Sequence, residues 1–569
     1  MKPNFLFIIV DELRYPTVYE NAEIKKWRKK NLRAEEYLKK NGCYFEKHYT
    51  ASTACAPSRT SIFTGQYPSL HGVTQTDATA KGPSDPDLFW LDSNTVPTLG
   101  NYFQNAGYYN KYIGKWHISH VSDILIPGTQ TSLLSYDQDT GVPDPTLVRY
   151  YKEADRLKEY GFHEYVGPEP HGSDPHNSGS SAKVGESGRD KYFKESVIKT
   201  LKSFAEKDEH LMKHGYKKPF FLVASFVNPH DISLYGEITK NNPKFNFPID
   251  PSVPIIPPSP TAGEFLLPSK PDCQQSYKDL YPLGLQPTLD DEYYRKLYYS
   301  LNLTVDKNIM KILKTLEKTG LDKSTIVVFT SDHGDLLGAH GLFQKWYNSY
   351  EEAIHVPLIV KIPPQIGITR KKIKVLTSSV DLLPTFIGLA NIDIDKVQHK
   401  LSKSHSQDYP LVGKDLSRLI MNQQSSKKYQ YRPILFTTND NIFRGLNQVS
   451  WDNKPYNSTT QPVNVYTAIS YLEDGGKTLY KYSRYINNSC YNDSYGTPSD
   501  DSMPDEPQFE LYNITDDPTE TNNLAYLPNS TLLSQYIQDK MDAILNKQIL
   551  KKLIYPRFEY IPEKFPPPS

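Results

Sequence analysis

The run Cys55-Ala56-Pro57-Ser58-Arg59, continued by Thr60-Ser61-Ile62-Phe63-Thr64-Gly65, places a potential nucleophile just ahead of a proline, a hydroxyl and a guanidinium. A helix is expected to begin there. Proline is favoured at the first helical position, and the unpaired N–H groups of a first turn point at whatever anion lies in front of them. A thiol at such a place is activated rather than inert. Two pairs of potential metal ligands lie elsewhere: Asp11-Glu12 follows the apolar run Phe5 to Val10, and Asp332-His333 follows Thr325 to Thr330. Three carboxylates and an imidazole can hold one divalent metal ion. Oxygen-rich ligands put Ca²⁺ first, or Mg²⁺, while the imidazole and the flexible glutamate leave Mn²⁺ and Zn²⁺ open. A cationic group completes the set. Arg59 follows the thiol, Lys115 and His117 lie in Gly114-Lys115-Trp116-His117, and His230 lies in Asn228-Pro229-His230-Asp231. Lys345 ends Gly341-Leu342-Phe343-Gln344-Lys345. A tetrahedral oxyanion with developing charge needs such preorganised donors. Singly, each feature has an ordinary explanation as a turn, a helix cap, a surface charge or a hydrogen-bonded loop histidine. What they share is a position after a strand or in a nearby loop.

The elements that must position them follow from periodicity. Asn4 to Val10 is a continuous apolar β run, and Tyr108 to Ile113, Phe220 to Val227, Thr325 to Thr330, Val356 to Ile362 and Ile373 to Thr377 read as further strands. Helices are expected near Lys25 to Asn41, at Thr98 to Ala106, at Tyr293 to Thr319 and at Asp381 to Leu389, several stopped by glycine. This alternation predicts an α/β fold with a large, mostly parallel sheet flanked by helices, whose ligands bind beyond the carboxyl ends of the strands. Residues 120–190 lack periodicity, Gly167 to Gly188 reads as a loop, and Asn241 to Pro271 is proline-rich and irregular. After about residue 425 short Tyr- and Thr-rich runs precede a final helix near Ser530 to Lys552. The division expected is a catalytic unit over 1–425 and a smaller C-terminal α+β unit with an antiparallel sheet over 426–569.

At 569 residues the chain can bury a large core. Basic and acidic residues balance at 65 each, which excludes a polyanion partner gripped by the whole surface and leaves only local basic patches. No nucleic-acid partner is expected. No apolar run approaches a membrane span, and Phe5 to Val10 lacks the cleavage site of a leader, so the expected location is cytoplasmic. Cys43, Cys55, Cys273 and Cys490 are too widely spaced for a metal finger or a disulfide framework. The sequons at Asn457 and Asn513 are read as chance.

The Cys55 run resembles the signature of the type I sulfatases of the alkaline phosphatase superfamily, with cysteine, proline, arginine and Thr64-Gly65 at the family's spacing. The resemblance extends to Asp11 and Glu12, Arg59, Lys115, His117, His230, Asp332, His333 and Lys345. It continues through Tyr350-Glu351-Glu352, Val380-Asp381-Leu382-Leu383-Pro384-Thr385, Glu510-Leu511-Tyr512-Asn513 and Asp517-Pro518. The run Ser331 to Gly341 looks closest to the branch with choline sulfatases and phosphonate monoester hydrolases. One departure is Glu12, where many sulfatases carry aspartate; its extra methylene shifts the carboxylate by about a bond length against metal distances that tolerate ~0.2 Å.

The resemblance implies an alkaline phosphatase-like fold and a sulfatase acting on a small-molecule or carbohydrate sulfate ester, with oligomeric state left open. It implies that a formylglycine-generating enzyme converts Cys55 to formylglycine, whose hydrate attacks sulfur. Asp11, Glu12, Cys55, Asp332 and His333 would hold the metal. Arg59 with the metal would activate and orient the attacking hydroxyl, Lys115 and Lys345 would stabilise charge on the sulfuryl oxygens, His230 or Lys345 would be the acid, and His117 the base. The alternative is a phosphonate monoester or phosphodiester hydrolase using the same site.

Overall fold

The computed structural model describes residues 2–120, 144–167, 175, 178–183, 188–212, 218–367, 371–472, 477–487 and 506–554. Cys490 and much of the expected loop 167–188 lie outside them. The strands of the main sheet are β1 (Asn4–Asp11), β2 (Cys43–Phe45), β4 (Tyr109–Gly114), β5 (Glu164–Val166), β6 (Phe220–Pro229), β7 (Thr325–Ser331), β8 (Leu358–Lys361) and β9 (Lys372–Ile373). Their order is β5-β4-β6-β1-β7-β8-β2-β9. β5, β4, β6, β1 and β7 run parallel, β8 is antiparallel to both neighbours, and β2 pairs parallel with β9. The expected mostly parallel α/β sheet is present.

The unbroken apolar runs are explained by burial on both faces. Phe5, Phe7 and Ile9 of β1 face one core with Phe221, Val223, Ile326 and Val328. Leu6, Ile8 and Val10 face the other with Leu222, Ala224, Val327 and Phe329. The first core is closed by Ile62 and Phe63 of the helix Cys55–Thr64, by Phe103, and by Phe386 of the helix Leu382–Leu389. The second is closed by the helices Arg189–Met212 and Glu292–Lys318, through Val197, Leu201, Ile309 and Leu313.

Three details differ from expectation. The helix expected near Lys25 to Asn41 is two helices, Ala22–Asn31 and Arg33–Asn41, broken at Leu32. The cause is tertiary: the Asp306 carboxylate accepts the Ala34 and Glu35 N–H groups at 3.0 Å, capping a new helix start from 271 residues away. The strand expected at Ile373 to Thr377 is split. Lys372–Ile373 pairs with β2, while β10 (Thr377–Ser378) pairs with β3 (His48–Tyr49). Within 120–190, the helix Pro145–Glu153 and β5 form despite the weak pattern.

The antiparallel sheet expected near the C-terminus consists of β11 (Ile434–Thr438), β12 (Asn464–Tyr471), β13 (Leu479–Ile486) and β14 (Gln508–Asn513), in that order. The helix Leu532–Lys552 covers it through Ile537, Met541 and Leu545.

Candidate functional site

The strand order decides what meets. β4, β6, β1 and β7 are consecutive and parallel, so their carboxyl ends deliver Lys115 and His117, His230, Asp11 and Glu12, and Asp332 and His333 to one edge of the sheet. Gly114 makes the first of these possible. It has φ +110°, and a Cβ there would fall 1.8 Å from the Ser225 carbonyl oxygen, so only glycine lets β4 finish so close to β6. Glu12 and His117 themselves have φ of +70° and +57°, as does Gln344 at +57° immediately before Lys345. Backbone held in this region costs roughly 1–3 kcal/mol per residue and needs surrounding structure to enforce it.

Cys55 arrives from the other side as the first residue of the helix Cys55–Thr64. Pro57 is therefore the third helical residue rather than the first; its missing N–H still falls among the orphan donors of the helix start. The helix is wholly buried and is anchored by side chains. Ser58 Oγ donates to the Asp332 carbonyl at 2.6 Å, and Ser61 Oγ lies 3.0 Å from His71 Nε2. The Val73 N–H donates to His71 Nδ1 at 3.2 Å, so this ring is neutral with its proton on Nε2. Burial lowers the His71 pKa to about 3, from 6.5 for the free side chain. Below pH 6.5 the unfolded chain takes up a proton that the folded one refuses, so stability is full above that pH and is lost as the pH falls toward 3. Between pH 7 and 5 the wild type should lose about 2 kcal/mol more unfolding free energy than His71→Gln. Urea melts of both proteins at the two pH values measure this, and equal losses would refute the neutral buried imidazole.

The Cys55 Sγ lies 3.2 Å from His333 Nε2, 3.6 Å from Asp11 Oδ1 and 3.6 Å from Lys345 Nζ. Arg59, fully buried, donates from Nε to Asp332 Oδ2 at 2.8 Å and from one terminal nitrogen to the Lys115 carbonyl and Ser225 Oγ, both at 2.9 Å. Its other terminal nitrogen approaches Asp11 Oδ2 at 3.4 Å. Lys115 Nζ is bonded to the same Asp11 oxygen. Lys345 Nζ is 3.2 Å from Glu12 Oε1, and His230 Nε2 is 3.8 Å from Glu12 Oε2. His117 Nε2 lies 2.5 Å from Asp77 Oδ1, and its ring is within electrostatic reach of Lys115. Every site residue expected from the sequence is thus brought to one place.

Charge states follow from this packing. Burial would raise the Asp11 carboxyl, but Lys115, then His230, Arg59 and His333, hold it well below the usual range. Glu12 is pushed up to about 8, by burial against the opposing pull of Lys345 and with the help of Asp335 and Asp11. Burial also pushes Asp335 up to about 6. Burial opposes protonation of His117, yet Asp77 outweighs it and raises the ring to about 9. Burial and Lys115 hold His230 well below its ordinary value, and burial and Lys345 lower His333.

Asp11, Cys55, Asp332 and His333 each present a ligand atom within 4.8 Å of the others, and Asp11, Glu12 and His230 form a second such set. Hard carboxylate oxygens with an imidazole fit a divalent cation. Glu12 Oε2 is buried without a hydrogen-bond partner, which a cation between the two sets would supply. Sequence reasoning missed Asp77, Ser225 and Asp335. Asp77 sits in a loop 40 residues from His117 with no motif around it, and Ser225 is one small residue inside an apolar strand. Asp335 alone carried a signal, as the last acid of Asp332-His333-Gly334-Asp335.

A family model described as sulfatase matches residues 3–392. The choline-sulfatase of Rhizobium meliloti is 26% identical over 413 residues, covering 70% of this chain and 69% of that protein. Among solved structures, a protein in complex with its substrate D-glucosamine-2-N,6-O-disulfate is 17% identical with a TM-score of 0.60, covering 97% of this chain and 98% of that one. The phosphonate monoester hydrolase of Silicibacter pomeroyi is 16% identical with a TM-score of 0.56, covering 97% and 96%. At these identities the two structures speak for the fold alone. The family match reaches from the residue immediately before β1 through Asp11-Glu12, the Cys55 helix, Asp332-His333 and Lys345, and on that extent the chain belongs to the sulfatase family of sulfate ester hydrolases.

Proposed function

We propose that this chain hydrolyses a carbohydrate or small-molecule sulfate ester by S–O cleavage, with residue 55 as the nucleophile. The observation that carries this reading is the position of the Cys55 side chain, at a helix N-terminus and in contact with Asp11, His333 and Lys345 together. Converted to formylglycine, residue 55 would supply a geminal diol, one hydroxyl to attack sulfur and one to let the sulfated adduct collapse. A divalent ion, held by Asp11, Asp332, His333 and residue 55 with Glu12 beside them, would supply Lewis acidity toward the sulfuryl oxygens.

The remaining work falls to the chain's own side chains. Arg59 fixes the orientation of Asp11 and Asp332. Lys115 and Lys345 aim fixed positive charge at the place where negative charge develops. Lys345 and His230 both face Glu12; Lys345, held protonated, is the group placed to deliver a proton to the departing alkoxide oxygen, and His230 can do so only where the bound ester offsets the burial and the Lys115 charge that keep it neutral. His117, held by Asp77, accepts the proton of the second hydroxyl in the minority neutral form that its raised pKa leaves, so this step quickens as the pH rises toward 9; the C–O bond of that hydroxyl becomes C=O as sulfate leaves with the electron pair of the C–O bond that breaks.

The test has two parts. The mass of the peptide containing residue 55, from a host able to make the conversion, should match the aldehyde or its hydrate. In parallel assays kcat/KM for a sulfate monoester should exceed that for the matching phosphonate monoester by at least ~10²-fold. A phosphonate preference would overturn the sulfatase reading, and full activity with an unmodified thiol would overturn the conversion of residue 55 to formylglycine.

A further inference from the structure

The chain balances 65 basic against 65 acidic residues, yet one flank of the main sheet gathers cations. Two open grooves meet there. The first, of about 730 Å³, is lined by Lys29, Arg33, Lys39, Lys40 and Lys314, with Glu36 as the one acid on its described wall. The second, of about 550 Å³, is lined by Lys372, Lys374, Lys427 and Lys477 and, among the described residues, by no acid. They join along the β2–β9 edge. Tyr44 of the first is the register partner of Lys372 of the second, with Lys372 Nζ 5.8 Å from the Tyr44 ring centroid. Lys371 Nζ donates to the Lys40 carbonyl at 3.0 Å across the same seam.

Lysine on an edge strand has an ordinary purpose, because it blocks the addition of further strands. That accounts for Lys372, which lies on the outermost strand. It does not account for Lys29, Arg33 and Lys40 on two helices, Lys314 on a third, or Lys427 from a separate segment. Nor are these charges used up locally. Lys39 pairs with Glu35 and Lys372 with Glu46, while Lys29, Arg33, Lys40, Lys314, Lys374 and Lys427 are exposed. Tyrosines sit among the cations, Tyr37 and Tyr44 in one groove and Tyr431 and Tyr471 in the other, offering ring faces beside the ammonium groups.

The flank is separate from the reaction centre. β9 is the fourth strand from β1, by way of β7, β8 and β2, which at ~4.8 Å per strand is about 19 Å. At physiological ionic strength that exceeds two screening lengths of ~8 Å, so the cations there do not act on the bound sulfate ester. They can act on a long anionic chain that reaches both places.

We infer that this flank docks a sulfated polysaccharide, retaining a polymer whose ester groups the active site attacks. The inference rests on the proposed sulfatase function, because a chain bearing many sulfate esters both matches the charge of the grooves and carries the bond to be broken.

Fluorescein-labelled heparin, titrated into the full-length protein and read by anisotropy, tests it. The wild type should bind, more weakly as salt rises. The triple variant K40E/K374E/K427E should bind at least tenfold more weakly, and Lys454→Glu, an exposed lysine outside both grooves, should bind as the wild type does. All three should hydrolyse a small aryl sulfate equally. Heparin affinity unchanged in the triple variant would overturn the inference. So would a single-stranded DNA of equal charge binding the wild type as tightly as heparin. The aryl sulfate assay reads the active site alone, so its failure in the wild type counts against the proposed function and not against the grooves.

Discussion

Cys55→Ala is expected to abolish sulfate ester hydrolysis, by at least ~10³-fold in kcat, while leaving the folded structure in place. The side chain removed is small, the residue stands at the first position of its helix, and the anchors of that helix through Ser58 and Ser61 do not involve it. Circular dichroism and the urea midpoint should therefore match the wild type. Cys55→Ser makes the sharper experiment. A serine hydroxyl in the same place could attack sulfur once, but it has no second hydroxyl through which the sulfated residue could collapse. Intact mass after exposure to substrate should show one added sulfuryl group and no further turnover. Sustained turnover by either variant would mean that another group attacks sulfur.

The second large effect separates two cations that look alike in the sequence. Arg59→Ala should cost about 3–5 kcal/mol of stability as well as activity, because it strips the ionic partner from Asp332 and one of two from Asp11 inside the protein. Asp11 is held as a carboxylate by the surrounding cations and has no cheap way to neutralise itself. Lys345→Ala should cost less than half as much. Its partner Glu12, pushed up to about 8, is already mostly protonated at neutral pH, so removing the ammonium strands little buried charge. Activity of the lysine variant should nonetheless fall ~10²–10³-fold, the usual loss for one preorganised donor at a developing oxyanion. Urea melts with and without a chelator, set beside kcat/KM, give both comparisons. Equal destabilisation by the two substitutions would refute the assignment of charge states.

Much of this site was legible before the fold was known, and the reason is geometric. Asp11-Glu12 and Asp332-His333 each end an unbroken apolar run, and in a parallel sheet such runs are interior strands whose carboxyl ends lie along one edge. β1 and β7 are in fact direct neighbours, with Val10 opposite Ser331. Cys55 was legible from its neighbours in the chain. What escaped was set by distance. The break at Leu32 is made by Asp306, and no local pattern announces a cap that comes from the helix Glu292–Lys318. β8 reads as any other buried strand, since side-chain alternation carries no sign of direction and its antiparallel placement depends on the connection before it. Asp77 and Ser225 act only through His117 and Arg59, so their chemistry exists after those side chains are in place.

The enclosure of Cys55 has one more consequence. The residue is 2% exposed, walled in by groups that reach it from β1 and from beyond β7. Under the proposed conversion of Cys55, an enzyme acting on this sulfur would be shut out once the wall is built. The wall needs His333, which a ribosome adds 278 residues after Cys55; at 5–20 residues per second that is a delay of about 14–56 s. The order of synthesis thus opens an interval in which the thiol is accessible, and a chain that closes unconverted would carry its error sealed inside.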